Sequence, residues 1–499
     1  MVAPGASAQG VPRWVDRDLD LSAVTPWERE LDMLNALSDQ RGVDVTEVGQ
    51  THEGRTIRGV RFRSADRGCG QKPWTVLLIG LQHGNEPAGR EGLLTLISDL
   101  AEDLGRLPTN TELWIVPTLN PDGLVVNQRR NAENFDLNRD HLILSQPETR
   151  AIHALARRIE PDVIIDCHEF RRDTGDYTAQ GYLEWPLVMM DTANTALLPD
   201  SYYVLGKLWL ERVAPVMASA GINYSRYLVG DAPPGGELRF STLDPDDARN
   251  GMALQSGSLG YIIESGIVRG AAEPQADLGV RARAHRLLVW LAIALPGEMR
   301  SEARTRLARA KREPLPNFIP VDTFWGEALP EALGEERQGR TIPVIDVEKG
   351  ETLIVAAPNH RTTRVVKRRV VTPVGYYIPA EHAEVYGDLA KRHGIPASLV
   401  NDRPEKLEIL RLVSVSETYD ERYHRYAGLQ TVAVADDIAL EGEADAGLLI
   451  DLTGMPPMRA RAAIAVFDPH MSAGLYQWQK YRATVGDDGI IPVMRVLAE

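Results

Sequence analysis

Four stretches of the chain are continuously apolar where most of it alternates. They are "WTVLLIGL" (Trp74–Leu81), "TELWIVPTL", "PDVIIDC" and "GSLGYIIESGI". Short unbroken apolar runs of this kind mark strands buried on both faces. Between and after them lie stretches with helical spacing: "EPAGREGLLTLISDLAEDLG", "SQPETRAIHALARRIEP", "SYYVLGKLWLERVAPVMASAG" and "DLGVRARAHRLLVWLAIAL". A further helix is predicted in "TPWERELDMLNALSDQRG", with Thr25 as its cap, Pro26 in its first turn and Glu28 completing a capping box. Ser145 and Glu148 form a second such box. "EVGQTHEGRTIRGVRFRS" reads as two short strands joined by a polar turn. Strands alternating with helices predict an α/β fold with a largely parallel or mixed central sheet and helices on both faces.

The pattern changes after Arg312. Residues 313–345 are rich in proline and charge and are expected to be a linker between a larger α/β domain, residues 1–312, and a smaller β-rich domain, residues 346–499. The second domain shows short strand-like runs such as "TLIVAAP", "EILRLVSVSE" and "TVAVADD", with one helix near "AEVYGDLAKRHGI". The basic run "TRVVKRRVV" suits an edge strand guarded against aggregation.

Composition narrows the class of partner. The formal net charge is −15 over 499 residues, which argues against nucleic acid or an anionic membrane as partner. No apolar stretch is long enough to span a bilayer. The N-terminus lacks the charged-then-apolar layout of a signal peptide, and the two cysteines, Cys69 and Cys167, are too few for a disulfide framework. A cytoplasmic protein is expected. The sequence leaves self-assembly into a homo-oligomer open.

The chemistry lies where the apolar runs end. Ligands of open α/β sheets bind beyond the carboxyl ends of the strands. The first run ends in "HGNE", the second in "NPDG" followed by "NQRRNAENFDLNRD", the third in "DCHE" and the last in "YIIESG". A single histidine after a strand is usually just hydrogen-bonded; four polar clusters at one sheet edge point to a site. A catalytic zinc takes three protein ligands and keeps one position open. His83, Glu86 and His168 supply two imidazoles and a carboxylate, for one zinc per protomer. Glu264 is placed to act as the general base, and a nearby arginine suits the oxyanion.

The set "GRTIRGVRF", "HGNE", "NPDG", "RRN…FDLNRD", "DCHE" and "IIES" resembles the zinc metallocarboxypeptidases related to carboxypeptidase A, over roughly residues 25–295. The resemblance implies the same three ligands and Glu264 as base. It implies Arg130 as the group that polarises the scissile carbonyl, in preference to its neighbour Arg129. It implies Asn138 and Arg139 as the clamp on a free substrate carboxylate, and Asp136 as the carboxylate that orients the His83 ring. The expected activity is hydrolysis of the amide next to a free carboxylate in a small peptide. The alternative is a deacylase similar to aspartoacylase or succinylglutamate desuccinylase, acting on an N-acyl amino acid and using a C-terminal β-domain to close its cleft.

This chain departs from the family pattern in one respect. The family usually has a tyrosine some twenty residues before the catalytic glutamate, and "GELRFSTLDPDDARNGMAL" has none. Tyr224 and Tyr227 lie earlier and would need a loop shift to substitute. Arg249 would favour an acidic side chain if it lined the specificity pocket. Glu169 is expected to be a loop carboxylate and Cys167 a packing residue. His141 is the remaining histidine expected nearest the site.

Overall fold

The four apolar runs form the middle of an eight-stranded sheet. In the computed structural model, which describes residues 10–64, 72–268, 278–327, 340–414, 418–421, 425–426, 431–435, 446–471 and 474–498, the first part of the chain contributes eleven strands. These are β1 (Val43–Gln50), β2 (Thr56–Arg63), β3 (Trp74–Gly80), β4 (Thr111–Val116), β5 (Val163–Arg171), β6 (Tyr182–Glu184), β7 (Val188–Thr192), β8 (Tyr224–Arg226), β9 (Leu228–Gly230), β10 (Leu238–Phe240) and β11 (Leu259–Ile267). The central sheet has the order β1-β2-β4-β3-β5-β11-β7-β8. Its core, β4-β3-β5-β11, is parallel. The β1–β2 hairpin joins β4 antiparallel, and β7 joins β11 antiparallel, so the sheet is mixed.

The two faces of β3 separate cleanly. Val76 and Leu78 pack with Leu93, Leu96, Ile97 and Leu287 of the helices Pro87–Glu102 and Leu278–Ile293. Leu77 and Ile79 pack on the opposite side with Ile152, Leu155, Ala248 and Met252 of the helices Pro147–Ile159 and Ala248–Ser256. Successive strand residues point to opposite faces, so an all-apolar strand calls for helices on both, as the sequence predicts. Among the described residues no helix is long and apolar enough to cross a membrane.

The later chain is stitched to the earlier one. β12 (Phe318–Gly326), β13 (Thr341–Asp346), β14 (Thr352–Ala356), β15 (His360–Arg361) and β16 (Thr363–Val371) follow. The stretch expected as a linker, 313–345, therefore contains all of β12 and most of β13. Its prolines conceal this: Pro320 sits at a register irregularity of the β12–β16 pair, where a missing N–H is tolerated, while Ile319, Val321 and Trp325 are buried. "TRVVKRRVV" is β16, paired with β12. β13 pairs with β6, and β15 pairs with β10. Beyond these lie a five-stranded sheet, the expected helix at Ala383–His393, and a helix not read from the sequence, Pro457–Phe467. That helix is buried almost all round, so it lacks the polar stripe that marks a surface helix.

Two predicted capping boxes form different bonds. Pro26 and Gln146 occupy the cap positions, neither with a side-chain cap bond. Thr25 instead bonds Glu91 through its N–H, at 3.1 Å, and its hydroxyl, at 2.6 Å. Ser145 bonds Asp140 at 2.7 Å.

Candidate active site

Three ligand-type atoms converge beyond the ends of β3 and β5. His83 Nδ1 lies 2.9 Å from Glu86 Oε2. His168 Nδ1 lies 3.0 Å from each of His83 Nδ1 and Glu86 Oε2. The "HGNE" loop adopts this shape because its glycine has no room for a side chain: a Cβ on Gly84 would stand 2.1 Å from the carbonyl carbon of Gly123, in the "NPDG" turn. Gly89 meets the Cβ of Cys167 in the same way, at 2.5 Å. The buried Cys167 thus seats the Pro87–Glu102 helix against β5, which is its packing role.

The second ring nitrogen of each histidine is held by a carboxylate. His83 Nε2 bonds Asp136 Oδ1 at 3.0 Å, and His168 Nε2 bonds Asp166 Oδ2 at 2.5 Å. A carboxylate accepts, so each Nε2 carries the proton and each Nδ1 presents a lone pair. Two imidazole lone pairs and a carboxylate oxygen aimed at one another at 3.0 Å repel unless a cation lies between them. In a tetrahedral zinc site such atoms stand roughly 3.3 Å apart, so the donor set fits the metal. Among the described residues His83, Glu86 and His168 are the one group of this kind.

Glu264 reaches the same place from β11. In the parallel pairing it stands directly opposite His168. Burial raises its pKa to about 7, with Glu86 adding to the rise and His168 and Tyr227 opposing it. Glu86 shifts the other way: burial would raise it, but His83, His168 and Arg129 hold it well below the usual carboxylate range.

The two neighbouring arginines part company. Arg129 lines the cleft, with Nη1 2.8 Å from Glu86 Oε1 and Nε 3.1 Å from Asp136 Oδ2. Arg130 bonds the exposed Asn134 at 3.2 Å and does not line the cleft. The side chain placed beside the ligands is therefore that of Arg129. The loop is turned by left-handed residues at Asn127 and Asn134, and successive side chains of such a loop point in different directions.

Asn138 and Arg139 both line the cleft, a cavity of about 450 Å³. Asn138 Oδ1 accepts from the N–H of Ala248 at 2.8 Å, which leaves its amide nitrogen near His168. Arg139 bonds the carbonyl of Asn138 at 2.7 Å. Arg249 also lines the cavity, but its charge is already engaged: it pairs with Asp247 at 2.8 Å and donates to the carbonyl of Thr242. Glu169 is on β5 rather than in a loop. It is buried, pairs with Arg281, accepts from the N–H of Ala88 at 3.3 Å, and lies outside the ligand set.

One contributor was expected only after a loop shift, and two were not read from the sequence. Tyr227, between β8 and β9, hydrogen-bonds Glu264 and lines the cleft without any such shift. Asp166 is two residues before His168 on the same strand face, and that spacing was the available signal. Gln82 holds Asp166 at 2.6 Å and accepts from His141 at 2.8 Å. From His141 the run continues through His153 and Gln255 to His393 on the helix Ala383–His393. His141 is thus close to the site, as expected, and belongs to a buried polar chain tying the site to the later part of the molecule. Burial holds His153 and His393 near 3, so both are neutral.

Comparison with known proteins agrees with this geometry. Residues 29–172 match the family model described as zinc carboxypeptidase. Carboxypeptidase 2 of Trichophyton tonsurans is 30% identical over 215 residues, 41% of this chain and 40% of that protein. Probable carboxypeptidase 2 of Trichophyton verrucosum is 43% identical over 185 residues, 36% of each. The chain thus spans 40% or less of these relatives' length. Among solved structures, a metallo-carboxypeptidase from Burkholderia cenocepacia aligns with a TM-score of 0.41 and 19% identity, covering 56% of this chain and 70% of that one. Glu264 and Tyr227 lie beyond the matched stretch, whereas His83, Glu86, Arg129, Asp136, Asn138, Arg139 and His168 lie within it. Residues 29–172, the stretch that carries the candidate metal ligands, are thus similar to the zinc carboxypeptidase family.

Proposed function

We propose that the chain is a zinc-dependent carboxypeptidase that hydrolyses the amide next to a free carboxylate in a peptide substrate. The observation that carries this reading is Glu264 standing opposite His168, in a cleft also lined by His83, Glu86, Arg129 and Arg139. Zinc held by His83, Glu86 and His168 would lower the pKa of a water and polarise the scissile carbonyl. Glu264 takes the proton of the attacking water and passes it to the leaving amine. Burial raises Glu264 to about 7, a range in which a carboxylate serves as both base and acid. Arg129 takes the role that the resemblance gave to Arg130, donating to the carbonyl oxygen as negative charge grows there. Tyr227 is a second donor at the reacting centre. Asn138 and Arg139 receive the substrate's free carboxylate, a charge-assisted contact that fixes which amide is presented.

The deacylase alternative keeps one supporting observation: β15, from the later part of the chain, pairs with β10 at the cleft wall. A wall built in this way suits a small N-acyl amino acid as well as a peptide end. Assay of the zinc-loaded chain on C-terminally free peptides and on N-acyl amino acids separates the two. Turnover of peptides supports the first reading; turnover of N-acyl amino acids alone replaces it with the second.

A further inference from the structure

Arg239 places a positive charge in the cleft wall, and no acid among the described residues forms an ion pair with it. β10 is the middle strand of a three-stranded sheet, between β9 and β15. In register, Arg239 stands opposite Val229 on one side and opposite Arg361 on the other. Residues directly opposite share a face, and Arg239, Val229 and Tyr227 all line the cleft. Leu238 turns to the other face and packs in an apolar cluster.

The charges around Arg239 leave a surplus. Two arginines directly opposite each other repel. Glu237, two positions earlier and on the same face, could relieve this, but it pairs with Arg361 at 2.7 Å. Each acid of the cleft has its own partner: Glu86 has Arg129, Glu169 has Arg281, Asp247 has Arg249 and Glu264 has Tyr227. Among the described residues none of these acids pairs with Arg239, and its side chain is exposed to the cleft.

We infer that Arg239 is a specificity-determining residue that pairs with a second carboxylate of the substrate, an acidic side chain on one of the two residues flanking the scissile amide. The substrate then carries two anionic groups, the free terminal carboxylate for Asn138 and Arg139 and the acidic side chain for Arg239. This inference rests on the carboxypeptidase reading above. It also assigns the later part of the chain a share in substrate choice, because β15 brings Arg361 to Glu237 and so keeps Glu237 from neutralising Arg239.

The test uses the full-length, zinc-loaded chain and matched peptides with glutamate or alanine at the terminal or the penultimate position. The expected result is a kcat/KM ratio of about 10 or more in favour of glutamate at one of the two positions, shrinking at high salt. The ratio should fall towards one in Arg239→Ala, whatever the absolute rate, persist in part in Arg239→Lys, and reverse towards lysine peptides in Arg239→Glu. The position that shows the preference locates the acidic group. A wild-type ratio near one at both positions overturns the inference, as does a ratio that survives in Arg239→Ala. A binding arm separates failure of the inference from failure of the parent reading. The dipeptides Gly-Glu, Glu-Gly and Gly-Gly are titrated calorimetrically into wild type and Arg239→Ala. If no peptide is turned over, the carboxypeptidase reading fails. The inference then stands only if an acidic dipeptide binds tighter than Gly-Gly in wild type and loses that advantage in the variant.

Discussion

Glu264 and His168 are direct neighbours across the parallel pair β11 and β5, so their side chains leave the same face of the sheet side by side. A ligand-type histidine and a carboxylate outside the ligand set are thereby held together by backbone pairing. Glu264→Gln keeps the shape but cannot accept a proton. It is expected to lose about 10²–10⁴-fold in kcat while binding zinc as wild type does. His168→Ala, in contrast, is expected to lose the metal. Elemental analysis and single-substrate kinetics on the two variants check both outcomes.

Arg129 and Arg130 should separate sharply despite being adjacent. Arg129 contacts Glu86 and Asp136, whereas Arg130 bonds the exposed Asn134. Arg129→Ala is expected to lower kcat by about 10²–10³-fold, the range for removing one oxyanion donor. Arg130→Ala is expected to stay within a few-fold of wild type. Kinetics of the two single variants on one peptide decide the matter, and the opposite ranking returns the role to Arg130.

Tyr227→Phe removes the hydroxyl that bonds Glu264 and little else. Loss of a hydrogen bond to a charged group corresponds to about 10- to 100-fold. That loss should appear in kcat more than in KM if the hydroxyl acts at the reacting centre. Equal kcat for wild type and Tyr227→Phe would make Tyr227 a structural residue.

How much of this was legible in the sequence follows from how local each signal is. The candidate ligands His83 and Glu86 are three residues apart in one loop, and His168 ends an apolar run, so spacing and periodicity single them out. β7 is harder to read: "VMMDT" buries Asp191, which is paired with Arg226 at 2.9 Å, and a buried acid hides a strand. Which of two adjacent arginines enters the cleft depends on left-handed turns at Asn127 and Asn134, and no side-chain pattern encodes those. Tyr227 comes to Glu264 through the pairing of β7 with β8, a contact far apart in sequence. The proline and charge that suggest a linker at 313–345 are also what an irregular, partly buried strand pair such as β12–β16 uses.

Glu148 makes stability depend on pH away from the candidate metal site. It is fully buried, one carboxylate oxygen has no hydrogen-bond partner, and burial raises its pKa to about 7. The folded chain therefore holds this proton more tightly than the unfolded chain does. The stabilisation is fully present below the unfolded value of about 4.3 and is lost as pH rises through 7. Glu148→Gln keeps a neutral side chain at every pH. It is expected to match wild type near pH 4.5 and to exceed it at pH 8 by about 1–3 kcal/mol. Urea unfolding of both proteins at the two pH values measures the difference; parallel pH profiles would contradict the assignment.

The central claim is that the cleft is built around a free carboxylate beside the cleaved amide, and blocking that carboxylate tests it most directly. One peptide is prepared as the free acid and as the C-terminal amide, and release of the last residue is followed by mass spectrometry with zinc-loaded chain. The free acid should be cleaved about 30- to 1,000-fold faster in kcat/KM, as expected when a charge-assisted pair is lost. Arg139→Ala should lose a similar factor on the acid and little on the amide. Equal cleavage of acid and amide by the wild-type chain would contradict the account.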